Sequence, residues 1–415
     1  MKIDTLRVED ICDFIGGSQP AKSEFIDEPK TGYVRLIQTR DYKTDSFPTY
    51  IPENSTRKFC DENDIMIGRY GPPVFQICRG LKGAYNVALL KAKPKAGVDR
   101  EFLYYFLKQD SVFQYVDKLS ARTGGQTGVD LVSLNKYPVR IPNDTTDQRG
   151  LVASLVAIDK KIELNNRINS ELEAMAKTLY DYWFVQFDFP DENGKPYKAS
   201  GGRMVFDSEL NREIPMGWTT KSLGEIVNIV KGNVSPKEVS SSTPYIGLEH
   251  IQRKNLALID WASSDIAASN KTIFKEGDIL FGKIRPYFHK VTVAPFDGIT
   301  STDTLVFRPK SHKLYGLVLE VIFSGEFVEI ASQSSTGSKM PRADWNVLKN
   351  YPVVIPQDDL LEKFQGLIDK YCKKLKSITI ENHELRNLRD WLLPMLMNGQ
   401  VTVKPSTESK EAQHG

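Results

Sequence analysis

The chain repeats itself. Asn63-Asp64-Ile65-Met66-Ile67-Gly68-Arg69 returns as Gly277-Asp278-Ile279-Leu280-Phe281-Gly282-Lys283. Thr123-Gly124-Gly125 returns as Thr336-Gly337-Ser338, and Tyr137-Pro138-Val139-Arg140-Ile141-Pro142 as Tyr351-Pro352-Val353-Val354-Ile355-Pro356, all at an offset near 214 residues. The entry segments match as well, Leu6-Arg7-Val8-Glu9-Asp10-Ile11 against Leu223-Gly224-Glu225-Ile226. Several landmarks at one offset require two copies of one structural module.

Each copy runs into a long helical pattern. In the first, Leu151, Leu155, Ile158, Ile162, Leu172, Ala176, Leu179 and Trp183 recur in steps of four and three. In the second, the stripe is Leu361, Phe364, Ile368, Tyr371, Leu375, Ile378, Asn382, Leu385 and Leu392. The first spacing predicts a helix of roughly nine turns, about 50 Å long. Asn165, Asn169 and Asn382 fall on these apolar stripes. A buried Asn lowers stability but fixes register and orientation; the alternative is the exposed flank of an imperfect stripe. The Asp and Thr residues of Pro142-Asn143-Asp144-Thr145-Thr146-Asp147 and Pro356-Gln357-Asp358-Asp359 are suited to cap the two helices.

Segments 1–146 and 215–357 carry short β-like runs such as Tyr33–Ile37, Asp64–Ile67, Ala84–Leu90, Asp278–Phe281 and Thr304–Phe307, separated by Gly and Pro clusters. A helical stretch interrupts each, Arg100–Leu119 and Leu314–Ser332. The predicted class is α+β: two repeated modules held apart by a two-helix rod. The predicted division is module 1–146, long helix 147–187, central linker 188–214, module 215–357, long helix 358–399 and a flexible tail over 400–415. Antiparallel packing would satisfy both seams, give the molecule a pseudo-two-fold axis and bring Asn165 and Asn382 to one level. A rod of about 50 Å spans roughly fifteen base-pair steps.

With 415 residues, two or three domains are expected. A net charge of +2 neither demands nor excludes nucleic acid; basic residues would have to be gathered on one face. No run approaches the roughly 18 apolar residues of a membrane span, and the start MKIDTLRVEDICDFIGG lacks a signal-peptide core, so a cytosolic location without membrane contact is expected. Cys12, Cys60, Cys78 and Cys372 form no CxxC pair and the His residues are scattered, which argues against zinc or a disulfide framework.

Catalytic signatures fail on their mechanics. Gly277 to Lys283 has P-loop spacing, but Ile284 stands where magnesium needs a hydroxyl, and Ile-Leu-Phe inside it reads as a strand. Gly71-Pro72-Pro73-Val74 resembles the Asn/Asp-Pro-Pro-aromatic motif of amino-methyltransferases but lacks the polar and aromatic residues that hold a flipped base. No Ser-His-Asp, Cys-His or paired-carboxylate arrangement stands out, and the carboxylates read as surface charge. Two sets of basic, aromatic and polar residues do lie in corresponding loops. They are Lys22, Arg40, Tyr42, Arg69, Tyr70, Arg122 and Gln126, and Lys237, His250, Gln252, Arg253, Lys283, Arg285, Tyr287, Lys339 and Arg342. Arg and Lys neutralise phosphate or read guanine and Gln can read adenine, so these are DNA-binding candidates; singly, each is equally read as solvated surface. The return of Arg69 as Lys283 favours function.

The repeated Tyr-Pro-Val-x-Ile-Pro before a long helix, Ala176-Lys177-Thr178-Leu179-Tyr180-Asp181-Tyr182-Trp183-Phe184, Gly201-Gly202-Arg203-Met204-Val205-Phe206, Glu213-Ile214-Pro215-Met216-Gly217-Trp218 and Trp391-Leu392-Leu393-Pro394-Met395-Leu396-Met397-Asn398-Gly399 together resemble the specificity subunit of type I restriction–modification systems. The resemblance covers nearly the whole chain. It implies two target recognition domains, each reading half of a split site in double-stranded DNA, and two long helices packed antiparallel as a spacer. It implies two methyltransferase subunits that use S-adenosylmethionine, restriction subunits that use ATP, and no catalysis or cofactor on this chain. The competing readings are a stand-alone methyltransferase or nuclease with duplicated DNA-binding modules, and a duplicated coiled-coil adaptor for proteins only.

Overall fold

The computed structural model describes residues 2–45, 47–70, 74–119, 122–123, 126–266, 269–337 and 339–401, apart from the side chains of 122, 123, 126, 127, 236 and 266. Gly71-Pro72-Pro73, Gly124-Gly125, Ser338, the side chains of Arg122 and Gln126, and the tail from 402 lie outside the described residues. The chain forms two compact units: 1–160 with 387–415, and 161–386. Two long helices, α1 (Thr145–Tyr180) and α2 (Asp358–Met397), contribute to both. Asp144 begins α1 by accepting the Thr146 N–H at 2.6 Å, and these amide bonds hold its carboxyl below the usual range. Among the described residues, no helix is long and apolar enough to cross a membrane.

In the first unit a four-stranded antiparallel sheet runs Cys12–Gly16, Leu89–Pro94, Ile65–Gly68, Ile77–Cys78. A second sheet runs Phe59–Cys60, Gly83–Tyr85, Tyr33–Ile37, Tyr50–Pro52, with its central pair parallel. Ile3–Arg7 pairs antiparallel with Pro138–Pro142, which closes the module.

The second unit has the same plan. Its antiparallel sheet runs Val227–Ile229, Thr304–Pro309, Ile279–Gly282, Val291–Val293. The other runs Asn233–Val234, Lys271–Phe274, Gly298–Ser301, Pro244–Ile246, Ala262–Ser263, and again one central pair is parallel. Thr219–Ser222 pairs with Pro352–Ile355. Helices Arg100–Leu107 and Asp110–Leu119 in one module, Tyr315–Phe323 and Gly325–Gln333 in the other, complete an α+β fold.

The repeated Asp-Ile-x-x-Gly-basic motif has a physical reason. Its apolar run is a strand buried on both faces: Ile279 and Phe281 enter one core cluster and Leu280 another, as Ile65 and Ile67 enter one and Met66 another. The Asp residues anchor it. Asp278 accepts the Lys275 N–H at 2.8 Å and both forks of Arg308 at 2.7 and 2.6 Å; Asp64 accepts the Asp61 N–H and Lys91, each at 2.9 Å. These carboxylates are therefore structural, not the ordinary surface charge the sequence implied. A Cβ on Gly282 would fit tightly, 3.0 Å from Leu248 Cδ2 and 3.3 Å from Lys290 Cβ, whereas one on Gly68 would make ordinary contacts from 3.5 Å.

Each module is tied to its long helix by a buried glutamine. Gln148 accepts the Asp99 N–H at 2.7 Å and donates to Gly97 O and Pro142 O; Gln365 accepts the Gly316 N–H at 2.6 Å. In the second unit, α1 and α2 run in opposite directions. Asn165 meets Asn382, and Trp183 meets Phe364 with ring centroids 6.0 Å apart. α1 ends in a π turn, Asp181–Val185, that buries Trp183 and Phe184. The 188–214 stretch carries structure of its own: Phe189 stacks on Tyr197 and Trp218, and Met204–Asp207 pairs with Arg212–Pro215.

Candidate nucleic-acid interface

In both modules the strand that carries the motif ends beside the loop that carries the Thr-Gly landmark. In the first, Tyr70 bridges to Gly128, and Arg69 O accepts the Val129 N–H at 3.1 Å. This sets Arg69 and Tyr70 next to the small hairpin of Arg122–Thr123 and Gln126–Thr127. In the second, Ile284 bridges to Arg342, and the Ala343 N–H reaches Lys283 O at 2.9 Å, which sets Lys283 and Arg285 next to 336–342. Arg69 N–H donates to Ala88 O at 2.8 Å and Lys283 N–H to Asp303 O at 2.9 Å, so the two basic residues leave equivalent backbone positions.

Arg69 is half-buried, its guanidinium 5.0 Å from the Tyr70 ring, and its Nε is buried without a protein acceptor. Burying a charged donor unpaired is costly, and a phosphate or base acceptor would remove that cost. Arg285 adopts a left-handed backbone at φ 47° and His289 at φ 50°, about 1–2 kcal/mol of strain for each non-glycine residue. Tertiary bonds hold the turn between them. Arg285 N–H donates to Pro341 O at 2.7 Å, Arg285 Nη2 to Lys339 O at 3.2 Å, and His289 Nε2 lies 2.9 Å from Phe323 O. Arg253 sits 3.9 Å over the Phe288 ring, Tyr287 packs edge-on against that ring at 4.8 Å, and Tyr287 itself is 54% exposed. Lys339, whose carbonyl Arg285 holds, and Met340 are exposed.

The remaining candidates are placed less uniformly. Arg342 is bound to Asp303 at 2.8 Å, a carboxylate that the sequence did not single out. Gln252 Nε2 donates to Ala257 O at 3.0 Å, and His250 Nδ1 accepts the Gly247 N–H at 2.9 Å. Burial lowers the His250 pKa, so its ring is neutral near pH 7 and offers Nε2–H as a donor. Lys22 and Lys237 are exposed on short turns at matching places in the repeat. Arg40 is exposed and donates to Phe47 O and Thr49 Oγ1. Tyr42 packs against the Ile37, Cys60 and Met66 cluster with its hydroxyl buried. Burial raises the Cys60 and Cys78 thiols to about 11, so both are inert packing groups.

On the helices, Asn165 Nδ2 donates to Asn382 Oδ1 and to Glu381 Oε2, both at 2.9 Å, and Asn382 Nδ2 donates to Asn166 Oδ1 at 3.0 Å. Asn169 is buried with neither amide atom paired in the protein. Sequence reasoning also missed Glu173 and Glu320. Burial pushes Glu320 up to about 8, helped by the Glu173 and Asp181 charges; burial pushes Glu173 to about 7 against the bond it accepts from Leu256 N–H.

A family model described as the type I restriction modification DNA specificity domain matches residues 2–174 and 215–389. The chain is 25% identical over 439 aligned residues to the type I restriction enzyme MjaIX specificity subunit of Methanocaldococcus jannaschii, over 97% of this chain and 94% of that one. It is 20% identical to the HindI specificity subunit of Haemophilus influenzae, over 72% of this chain and 77% of that one. The crystal structure of the type I restriction–modification S subunit from M. genitalium shares the fold, with a TM-score of 0.54 at 15% identity and 96% of each chain covered.

Proposed function

This chain belongs to the type I restriction modification DNA specificity family, and we propose that its two modules, 1–146 and 215–357, each read one half of a bipartite site in double-stranded DNA. It is a specificity subunit, which recognises DNA sequence and is not itself catalytic. The observation that carries the division of labour is the repeated strand end. Arg69 and Lys283 leave the same sheet position, each beside the loop that bears the Thr-Gly landmark. The proposal extends to the other candidates, from Lys22, Arg40, Tyr42, Tyr70, Arg122 and Gln126 to Lys237, His250, Gln252, Arg253, Arg285, Tyr287, Lys339 and Arg342. In this reading Lys and Arg neutralise phosphates, and the polar neighbours choose bases.

Arg69→Ala and Lys283→Ala are each expected to weaken binding and to reduce the salt slope by about 1 for every phosphate no longer neutralised. Salt titrations of the assembled complex check this, and unchanged affinity and slope in both would remove this face from the interface. Base-reading changes should alter the methylated motif in one half-site only.

The helices act as the spacer of a pseudo-two-fold molecule, with the Asn165–Asn382 layer fixing register and the 188–214 segment joining the halves. Two methyltransferase subunits dock on this scaffold and bring S-adenosylmethionine; restriction subunits join them and bring ATP; the complex works in the cytosol. Adding four residues to both helices, after Lys160 and before Asn387, should lengthen the unread gap by about 6 Å, one to two base-pair steps, without changing either half-site. The methylated motif of that variant reads the gap directly. An active variant with an unaltered gap would show that the helices hold partners and do not measure DNA.

A further inference from the structure

We propose that Tyr287 is a wedge that unstacks a base-pair step in the half-site read by the 215–357 module. The inference rests on the two-module recognition of DNA and makes it more specific. The ring stands at the tip of the hairpin between strands Ile279–Gly282 and Val291–Val293, 54% exposed. Its backbone is not a flexible loop. Two left-handed non-glycine residues bracket the turn Pro286–Phe288, and Phe288 N–H and His289 N–H close it onto Arg285 O and Pro286 O at 2.9 and 2.8 Å. Lys254 N–H also holds His289 O at 2.8 Å. Strained backbone of this kind persists only where the surrounding structure over-determines it, and here that structure holds Tyr287 in one position. The exposed ring packs edge-to-face with Phe288, over which Arg253 sits at 3.9 Å, so the tip presents one held aromatic ring with a cation on its neighbour and Arg285 at the start of the turn. An apolar wedge among phosphate-binding cations is the chemistry of side chains that enter a base step, and such a step is selected by how readily it unstacks.

The first module supplies an internal contrast. At the repeat offset the sequence has Pro73 in place of Tyr287, within Gly71-Pro72-Pro73-Val74-Phe75. Phe75, at the position of His289, shares its left-handed backbone at φ 64° but is buried. The first half-site should therefore be read without a wedge.

The test uses the chain assembled with its methyltransferase subunits, on duplexes of its own methylated sequence. 2-Aminopurine is placed in turn at steps of either half-site, excluding the methylated adenine, its partner and the bases stacked on them, which methyltransferase base flipping would itself unstack. A fluorescence rise is expected at one step of the second half-site only. Tyr287→Phe should keep it, because the hydroxyl plays no part. Tyr287→Ala, an exposed substitution that leaves the core intact, should abolish it and weaken binding about tenfold. Sequence-specific binding without any fluorescence rise, or a rise that survives in Tyr287→Ala, overturns the wedge and leaves the two-module recognition standing. Absence of sequence-dependent binding by the unaltered complex overturns both.

Discussion

Phe364→Ala is expected to destabilise the second unit by about 3–5 kcal/mol, a large part of the stability of an ordinary domain. Phe364 is fully buried in the first half of α2. Its ring lies 4.8 Å from Phe184 and 6.0 Å from Trp183, and it shares a core cluster with Leu317 and Ile368. It thus joins the end of α1, the start of α2 and the module helix Tyr315–Phe323. The loss includes the cavity left wherever these packed rings and helices relax only in part. Denaturant unfolding should show a lower midpoint for the transition of this unit. A loss below about 1 kcal/mol would mean that this junction is loosely packed.

Glu320→Gln is expected to stabilise the protein at pH 8 and to remove much of its alkaline sensitivity. Glu320 is 3% exposed, on a helix of otherwise apolar residues. Burial and the nearby carboxylates of Glu173 and Asp181 raise its pKa to about 8, with Lys177 opposing, and Glu173 is raised to about 7. The sign follows from proton counting. An unfolded Glu ionises near 4.5, so between that pH and about 8 the folded state holds the proton that the unfolded state has released. Stability contributed by the neutral carboxyl is full below the lower value and falls as pH rises through the folded pKa. The penalty at pH 8 is on the order of 3–5 kcal/mol. A neutral amide of the same shape avoids it. Melting temperatures across pH 5 to about 9 should converge at the acid end and separate in favour of Glu320→Gln at the alkaline end. Parallel curves would show that Glu320 is ionised in the folded protein.

The duplication, the α+β class, the helical stretches Arg100–Leu119 and Leu314–Ser332, and the two long helices were all legible in the chain, because each depends on local periodicity or on a fixed offset. Ile279-Leu280-Phe281 could be read as a strand and not a phosphate loop because all three residues are apolar, which only a two-sided burial explains. What the periodicity could not carry is the set of partners. Asp278 looks like surface charge until Arg308, thirty residues on, closes on it. Tyr42 looks like a surface side chain until the Cys60 and Met66 cluster packs against its ring. Arg342 looks unencumbered until Asp303 is found beside it. Glu173 and Glu320 look solvated, yet they are enclosed among α1, α2 and a module helix far apart in the chain. The strain at Arg285 and His289 has no sequence signal, since neither is glycine. Local patterns report which face of an element is apolar. Which polar group meets which is set by long-range packing, which brings together residues that no local pattern relates.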